Sequence, residues 1–209
     1  MTGQKLLHQR AYEVDALVED SQHIRLVGIM RDVRPDGLWG IADTEPMTLH
    51  DMRIELVVNA TTMEITTVET SMLTHPQDYC PAILPIFQQL VGTSIGRGFG
   101  NRVKALFGGP RSCTHFVALL NAMAPVIMQA RWSFMHAVND SMALVGADPE
   151  ARERSMRAGH EANRDTCHVW ASDGPMFARI NVGEKFDAPL WAKDRLAERG
   201  IEPDDWLAW

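Results

Sequence analysis

The hydrophobic pattern of the chain changes its period near residue 76, and this change constrains the fold more than any other feature. Up to that point the chain shows β-branched and apolar runs with partial alternation, at Arg10–Glu19, His23–Val33, Met52–Asn59 and Met63–Leu73. Alternation with a two-residue period is typical of β-strands that bury one face. A turn-forming run at 34–37 separates two of these segments. Residues 1–75 are therefore predicted to form an antiparallel meander of about four strands.

From residue 76 to about 165 the apolar residues recur every three to four positions, as in amphipathic helices. This spacing predicts helices over Pro81–Val91 and Asn101–Phe107, and a long helix near 112–144 that Pro125 is expected to bend. Glu150–Asn163 is highly charged and predicts an exposed helix. Strands followed by helices predict an α+β fold, with the helices packed on one face of the sheet.

The C-terminal part, 166–209, is predicted to hold a short strand at Thr166–Ala171, a last helix at Pro189–Arg199 and a tail rich in tryptophan. The tail's Trp191, Trp206 and Trp209 are candidates to cap the core, close a pocket or join two subunits. A chain of 209 residues suits a single α+β domain over 1–209. A homodimer is the default expectation for its oligomeric state.

Composition excludes several classes of partner. A formal net charge of −7 with only 20 Lys and Arg argues against a nucleic-acid partner, which would need a basic face. The sequence has no apolar run of about 18 residues, so no membrane span is expected. Three widely spaced cysteines and a start without the apolar core of a signal peptide predict reduced thiols and a cytoplasmic location.

The strongest chemical signal is a Cys-X-His pair that follows the helix-breaking run Gly108-Gly109-Pro110. Ser112 is a good N-cap, which places Cys113 and His115 in the first turn of the long helix. Free backbone N–H groups and the helix dipole there favour anions and lower a thiol pKa. Cys113 and His115 are therefore candidate catalytic residues, and Arg111 a candidate to bind a carboxylate or phenolate.

Two further patterns supply candidates. His50 is followed by Asp51, a carboxylate that can orient a histidine acting as general base, although neighbours in a strand point to opposite faces. On a helical wheel, Gln129, Ser133 and His136 fall on the same side as His115. That face also includes Ala122, Val126 and Asp140, and its mixture of small and polar residues predicts substrate-binding positions. A solvent-exposed second half of the helix beyond Pro125 is the alternative.

A metal site is a further hypothesis. His50, Cys80, Cys113 and His115 have the ligand types of a zinc or iron site, although their spacing matches no zinc-finger or deaminase pattern. Buried cysteines that act as small apolar residues are the commoner outcome. No nucleotide, flavin or nucleophile-elbow motif is present.

Several of these segments together resemble a bacterial family known as domain of unknown function 2889. The segments are Leu49-His50-Asp51-Met52, Pro76 with Cys80, Leu90-Val91-Gly92 with Gly98-Phe99, Cys113-Thr114-His115-Phe116, and Asn163–Ala171. The resemblance covers roughly residues 9–180, and the Cys-Thr-His element is its most specific part. The chain departs from the family pattern at Ser112 and Phe116, where the family usually has Gly and Leu.

The resemblance implies that His50, Cys80, Cys113 and His115 form one site. Because members tend to occur in bacteria that degrade aromatic compounds, it also implies an aromatic substrate. The leading hypothesis is a lyase that acts on a lignin-derived aromatic compound by elimination or formaldehyde-releasing retro-aldol cleavage. In this hypothesis His115 or His50 is the base, Asp51 orients it and Arg111 stabilises an anion.

Two alternatives stay open: a hydrolase with Cys113 as nucleophile, and a non-catalytic metal- or ligand-binding module. A plain folded domain whose cysteines and histidines are core residues is a third.

Overall fold

The computed structural model describes residues 3–138, 149–184 and 189–202. The chain divides into two compact units, Met1–Val138 and Asn139–Trp209. The prediction of one domain over 1–209 stays a prediction.

The first unit begins with a four-stranded sheet. Its strands are β1 (Gln9–Val18), β2 (His23–Arg34), β3 (Met47–Asn59) and β4 (Ile65–Thr74). They pair in sequence order and all antiparallel, so β1 and β4 are the edge strands. The predicted meander is confirmed, because short connections let each alternating strand pair with the one before it.

Helices follow the sheet along the chain and cover one face of it. They are a 3-10 helix at Cys80–Leu90, helix α1 (Phe99–Phe107), a 3-10 turn at Gly109–Arg111 and helix α2 (Thr114–Val138). Helix α2 packs on β1 and β2. The α+β fold class is therefore confirmed.

The two faces of the sheet differ in the way that strand alternation requires. On the inner face the even-numbered residues at 24–32 in β2 and 52–58 in β3 are buried, among them Leu26, Met30, Ile54 and Leu56, each 0% exposed. The outer face carries ion pairs in place of a second apolar layer. Arg25 binds Glu19 at 2.7 Å and Glu55 at 3.1 Å. These ion pairs make the outer face polar, as expected for an antiparallel sheet with one apolar face.

A glycine in β2 lets helix α2 approach the sheet closely. A Cβ atom at Gly28 would lie 2.6 Å from Sδ of Met123 and 3.2 Å from Cδ1 of Leu119. Both side chains are fully buried on the sheet-facing side of α2. The missing Cβ therefore sets how near the helix lies to the sheet, and with it the position of the residues at the start of α2.

One helix prediction is corrected in kind, and another is described over part of its predicted extent. The segment Cys80–Leu90 is a 3-10 helix with Pro85 inside it. A proline in a helix interior removes a backbone hydrogen bond and clashes with the preceding turn, so a regular α-helix is disfavoured there. The long helix continues through Pro125 and is described from Thr114 to Val138; the rest of its predicted extent, to 144, lies outside the described residues.

The second unit is helical where it is described. It contains helices at Pro149–Asn163, Pro175–Asn181 and Leu190–Glu198, and a 3-10 turn at His168–Trp170. Trp191 lies in the last helix and is 79% exposed. Trp206 and Trp209 fall outside the described residues.

The short strand predicted at Thr166–Ala171 is wrong. The backbone there turns back on itself, with the N–H of Trp170 donating to the carbonyl of Cys167 at 3.0 Å. Asp165 adds a side-chain cap, accepting the backbone N–H of Ser172 at 2.8 Å. Local hydrogen bonds satisfy this backbone, so a short apolar run that could have been a strand forms a turn instead.

Across the described ranges, none of the helices combines the length and the apolar character that a membrane crossing requires.

Replacing Gly28 with alanine should lower the free energy of unfolding by about 1–3 kcal/mol, because the new methyl group overlaps the Met123 side chain. Urea unfolding of Gly28→Ala measures this loss. The same substitution in a Met123→Ala background should lower the free energy of unfolding by less, because the overlapping sulfur atom is absent. An equal cost in both backgrounds would show that close helix packing is not the reason for a glycine at this position.

Candidate functional site

Three polar side chains lie side by side across three strands on the inner face of the sheet. Arg10 of β1 is the direct cross-strand partner of Asp32 in β2. His50 of β3 is the partner of Asp32 on its other side. Directly opposed residues in a sheet project from the same face, so the three side chains meet. A polar row thus interrupts an otherwise apolar inner face, and we call it, together with the residues that contact it, the Asp32 site.

The Asp32 carboxylate is the centre of this site and is 1% exposed. The guanidinium of Arg10 donates to both of its oxygens, through Nε and Nη2, each at 2.6 Å. A two-point pair of this kind compensates the desolvation of a buried carboxylate. His8, just before β1, adds its Nε2 atom at 3.4 Å from Oδ1.

His50 is held by the same carboxylate. Its Nδ1 atom lies 2.9 Å from Oδ2 of Asp32. An ionised carboxylate only accepts hydrogen bonds, so Nδ1 of His50 carries a proton and donates it; in the neutral form of the ring, Nε2 then keeps its lone pair. No described residue hydrogen bonds to that Nε2 atom. The arrangement is a carboxylate-oriented histidine with a basic nitrogen open to a ligand.

His115 reaches the site from the first turn of α2. Its ring lies over that of His50, with a centroid distance of 4.1 Å and a tilt of 41°. Its Nε2 atom is 3.8 Å from Oδ2 of Asp32, beyond hydrogen-bond distance. On the other side of the ring, Nδ1 is 3.6 Å from Sγ of Cys113. Two histidines therefore face each other above one carboxylate.

The charges of the site follow from these contacts. The Arg10 hydrogen bonds, which outweigh the cost of burial, hold the pKa of Asp32 down at about 2. The same pairing raises the pKa of Arg10. Burial, helped by the nearby charges of His50 and Arg10, lowers the pKa of His115. At neutral pH the site therefore holds an ion pair of Asp32 with Arg10 and a neutral His115.

Asp32, His50 and His115 also form a candidate metal group. Each offers one ligand atom, and these atoms lie within 4.8 Å of one another. Two histidines and one carboxylate are a ligand set that zinc and non-haem iron use. Neither Cys80 nor Cys113 belongs to the group, so the ligand set differs from the predicted one.

The structure brings together His50, Cys113 and His115 among the predicted site residues, but it separates His50 from Asp51. Asp51 points to the outer face and binds Arg31 at 2.8 Å. The expectation that Asp51 orients His50 is therefore corrected: strand alternation turns the two side chains apart, and Asp32 takes that place.

The remaining predicted residues lie elsewhere. Arg111 is exposed, and its guanidinium donates a hydrogen bond to the backbone carbonyl of Lys104 at 3.0 Å, which caps the C-terminal end of α1. Gln129, Ser133 and His136 are exposed positions of α2. At 1.5 Å per residue they lie about 21 to 32 Å along the helix from His115, which is too far to share one small-molecule site with it.

Cys80 and Asp140 complete the account of the predicted residues. Cys80 opens the 3-10 helix and is half-buried, with its N–H bonded to the carbonyl of Gln77 at 3.0 Å. Asp140 falls outside the described residues.

Sequence reasoning missed Asp32, Arg10 and His8. A signal for Asp32 was available: it continues the inward-facing series Ile24, Leu26, Gly28, Met30 of β2, where a charged residue is unusual. A carboxylate at an inward position needs a partner on a neighbouring strand, and Arg10 supplies it. The register that pairs them was not visible in the sequence.

Replacing Asp32 with asparagine should lower the free energy of unfolding more at pH 7 than at pH 3. The folded pKa of Asp32, about 2, lies below its unfolded value of about 3.9, so its contribution is present above pH 4 and is lost as the pH falls towards 2. This pH-dependent contribution of Asp32 to the free energy of unfolding is about 2 kcal/mol. Urea unfolding of wild type and Asp32→Asn at pH 7 and pH 3 measures it.

Asp51→Asn is the matched control, because Asp51 pairs with a half-exposed Arg31 on the outer face. The Asp51→Asn substitution should change the free energy of unfolding by less than about 1 kcal/mol. A wild-type advantage over Asp32→Asn that does not shrink in acid would contradict the assignment of Asp32 as a strongly stabilised carboxylate.

The comparisons with known proteins give a family and nothing further. No curated protein and no solved structure matches the chain. The family described as "Protein of unknown function (DUF2889)" matches residues 8–129, which is more than half of the chain. This range begins at His8 and includes every residue of the Asp32 site, although it ends before the Asn163–Ala171 segment. The chain therefore belongs to the DUF2889 family.

Proposed function

We propose that this protein is a small-molecule enzyme that uses the Asp32 site for acid–base catalysis, as a lyase. One observation carries the proposal: a buried, ionised carboxylate holds Nδ1 of His50 at 2.9 Å, and none of the described residues hydrogen bonds to Nε2 of that ring. An imidazole oriented in this way is suited to abstract a proton, because the carboxylate stabilises the imidazolium that forms.

The two histidines take complementary roles in such a reaction. Nε2 of His50 removes the proton of a substrate hydroxyl group. The electron pair of that O–H bond forms a carbonyl group, the adjacent carbon–carbon bond breaks, and its electron pair remains on the second carbon. The imidazolium of His50 then returns its proton to that carbon, which restores the neutral base, and neutral His115 donates a hydrogen bond to the substrate oxygen. Arg10 keeps Asp32 ionised throughout.

The substrate class we propose is an aromatic compound that carries a hydroxymethyl group on an aryl-bearing carbon. An aryl ring stabilises the negative charge left on that carbon when formaldehyde departs. The aromatic character rests on the resemblance to a family found in bacteria that degrade aromatic compounds. Lignin-derived aryl propanediols have the required hydroxymethyl group.

Formaldehyde release from a panel of aryl propanediols tests this proposal. Wild-type protein should release formaldehyde, and His50→Ala should lose about 10²- to 10⁴-fold in kcat, because the base is gone. Asp32→Asn should lose activity as well, since His50 would no longer be held in the right tautomer.

Asp51→Asn provides the control for this experiment. Asp51 is the sequence neighbour of His50 but lies on the opposite face of the sheet, so its replacement should leave formaldehyde release nearly unchanged. Equal activity in wild type and His50→Ala would exclude His50 as the base.

A metal centre is the second candidate function, favoured by the grouping of Asp32, His50 and His115. Zinc or iron bound there would supply Lewis-acid or metal-hydroxide chemistry. Two contacts oppose it. Both Asp32 oxygens already accept from Arg10, and a guanidinium beside a divalent cation is repelled. The ion would also have to replace the hydrogen bond between Asp32 and His50.

Elemental analysis of protein purified without a metal-affinity tag separates the two candidates. For metal-independent catalysis we expect well below one zinc or iron per chain, with formaldehyde release that survives a chelator. About one equivalent of metal in wild type that is lost in His115→Ala would favour the metal centre instead. Exposed His136, on the same helix, provides the control substitution.

A further inference from the structure

The Cys113 thiol is the one hydrogen-bond partner of the His115 ring among the described residues. Its Sγ atom lies 3.6 Å from Nδ1, within the range for a sulfur hydrogen bond. Cys113 caps α2: its carbonyl accepts the N–H of Val117 at 3.1 Å, so the thiol is fixed at the start of the helix. It is half-buried and packs against the core. The acid–base mechanism makes no use of this thiol.

We propose that Cys113 is a positioning residue that holds His115 in the tautomer with its proton on Nε2. The inference rests on the proposed acid–base function and assigns the two histidines their separate roles.

The direction of the hydrogen bond follows from the chemistry of the two groups. A thiol donates weakly, but its sulfur accepts even more weakly, whereas an imidazole nitrogen with a lone pair is a good acceptor. The favoured arrangement therefore has the S–H of Cys113 donating to Nδ1 of His115. A neutral imidazole carries one proton, which must then be on Nε2.

The orientation of Nε2 agrees with this assignment. Nε2 of His115 faces Oδ2 of Asp32 at 3.8 Å, an oxygen that can only accept. Because this distance is too long for a hydrogen bond, Asp32 does not fix the tautomer by itself, and the thiol contact decides it. His50 presents a lone pair on Nε2 and His115 presents a proton. One ring is thereby prepared as the base and the other as a hydrogen-bond donor.

Nitrogen-15 NMR of histidine-labelled protein at a fixed neutral pH tests the proposal without any substrate. In wild type the His115 ring, identified by its absence in His115→Gln, should show protonated Nε2 and unprotonated Nδ1. In Cys113→Ala the ratio of this tautomer to the other should fall by about twofold to threefold, the effect of losing one weak hydrogen bond. Cys113→Ser keeps a donor and should restore the wild-type ratio.

Cys80→Ala is the matched control, because Cys80 is also half-buried at a helix start but lies outside the ligand group around His115. It should leave the His115 signals unchanged. The proposal is overturned if wild-type His115 carries its proton on Nδ1, or if Cys113→Ala keeps the wild-type tautomer. A far-UV circular dichroism spectrum of each variant confirms that it is folded.

The predicted tautomer of His115 and the predicted enzyme activity can each be contradicted without the other. The NMR measurement needs no turnover, so a protein without formaldehyde release could still show the expected tautomers. Activity of Cys113→Ser also separates positioning from nucleophilic catalysis. A positioning thiol is replaced by a hydroxyl with partial retention of kcat, whereas a serine is a much weaker nucleophile at neutral pH and would abolish a thiol-dependent hydrolysis.

Discussion

The two-point ion pair between Arg10 and Asp32 is the interaction on which the functional part of this protein depends. A carboxylate that is 1% exposed would be strongly destabilising if it were left alone among the apolar residues of the inner face. Arg10 meets both of its oxygens from the neighbouring strand, and the two nearby histidines meet it from β3 and α2. The pairing keeps Asp32 ionised, and an ionised Asp32 in turn decides which nitrogen of His50 carries the proton.

The close packing of α2 links this charge cluster to the apolar core. Gly28 removes the one Cβ that would push Met123 and Leu119 away from the sheet. The same helix carries His115 at its first turn, so the height of the helix above the sheet sets how near the second histidine comes to Asp32. Core packing at Gly28 and the geometry of the Asp32 site are therefore coupled through the same helix.

The sequence predicted the sheet, the position of α2 and the grouping of His50, Cys113 and His115, because these follow from the hydrophobic period, the helix start signals and the chemistry of the residues. It did not predict Asp32 as the partner of His50, since cross-strand register is not a local property. It placed the helix cap at Ser112, whereas the carbonyl of Cys113 accepts the first helical hydrogen bond and the Ser112 hydroxyl is buried without a partner. The helical wheel grouped Gln129 with His115 by angle and ignored the rise along the axis.

Arg10 lies on an edge strand, with β2 on only one side of it. Edge strands have fewer backbone hydrogen bonds to hold them and are the first part of a sheet to open in local fluctuations. When β1 detaches, Asp32 loses Arg10 and His8 together, and its negative charge is left with the histidines alone. The Asp32 site therefore lasts only as long as one edge strand stays paired, and its lifetime depends on the kinetics of strand opening as well as on the geometry of the closed state.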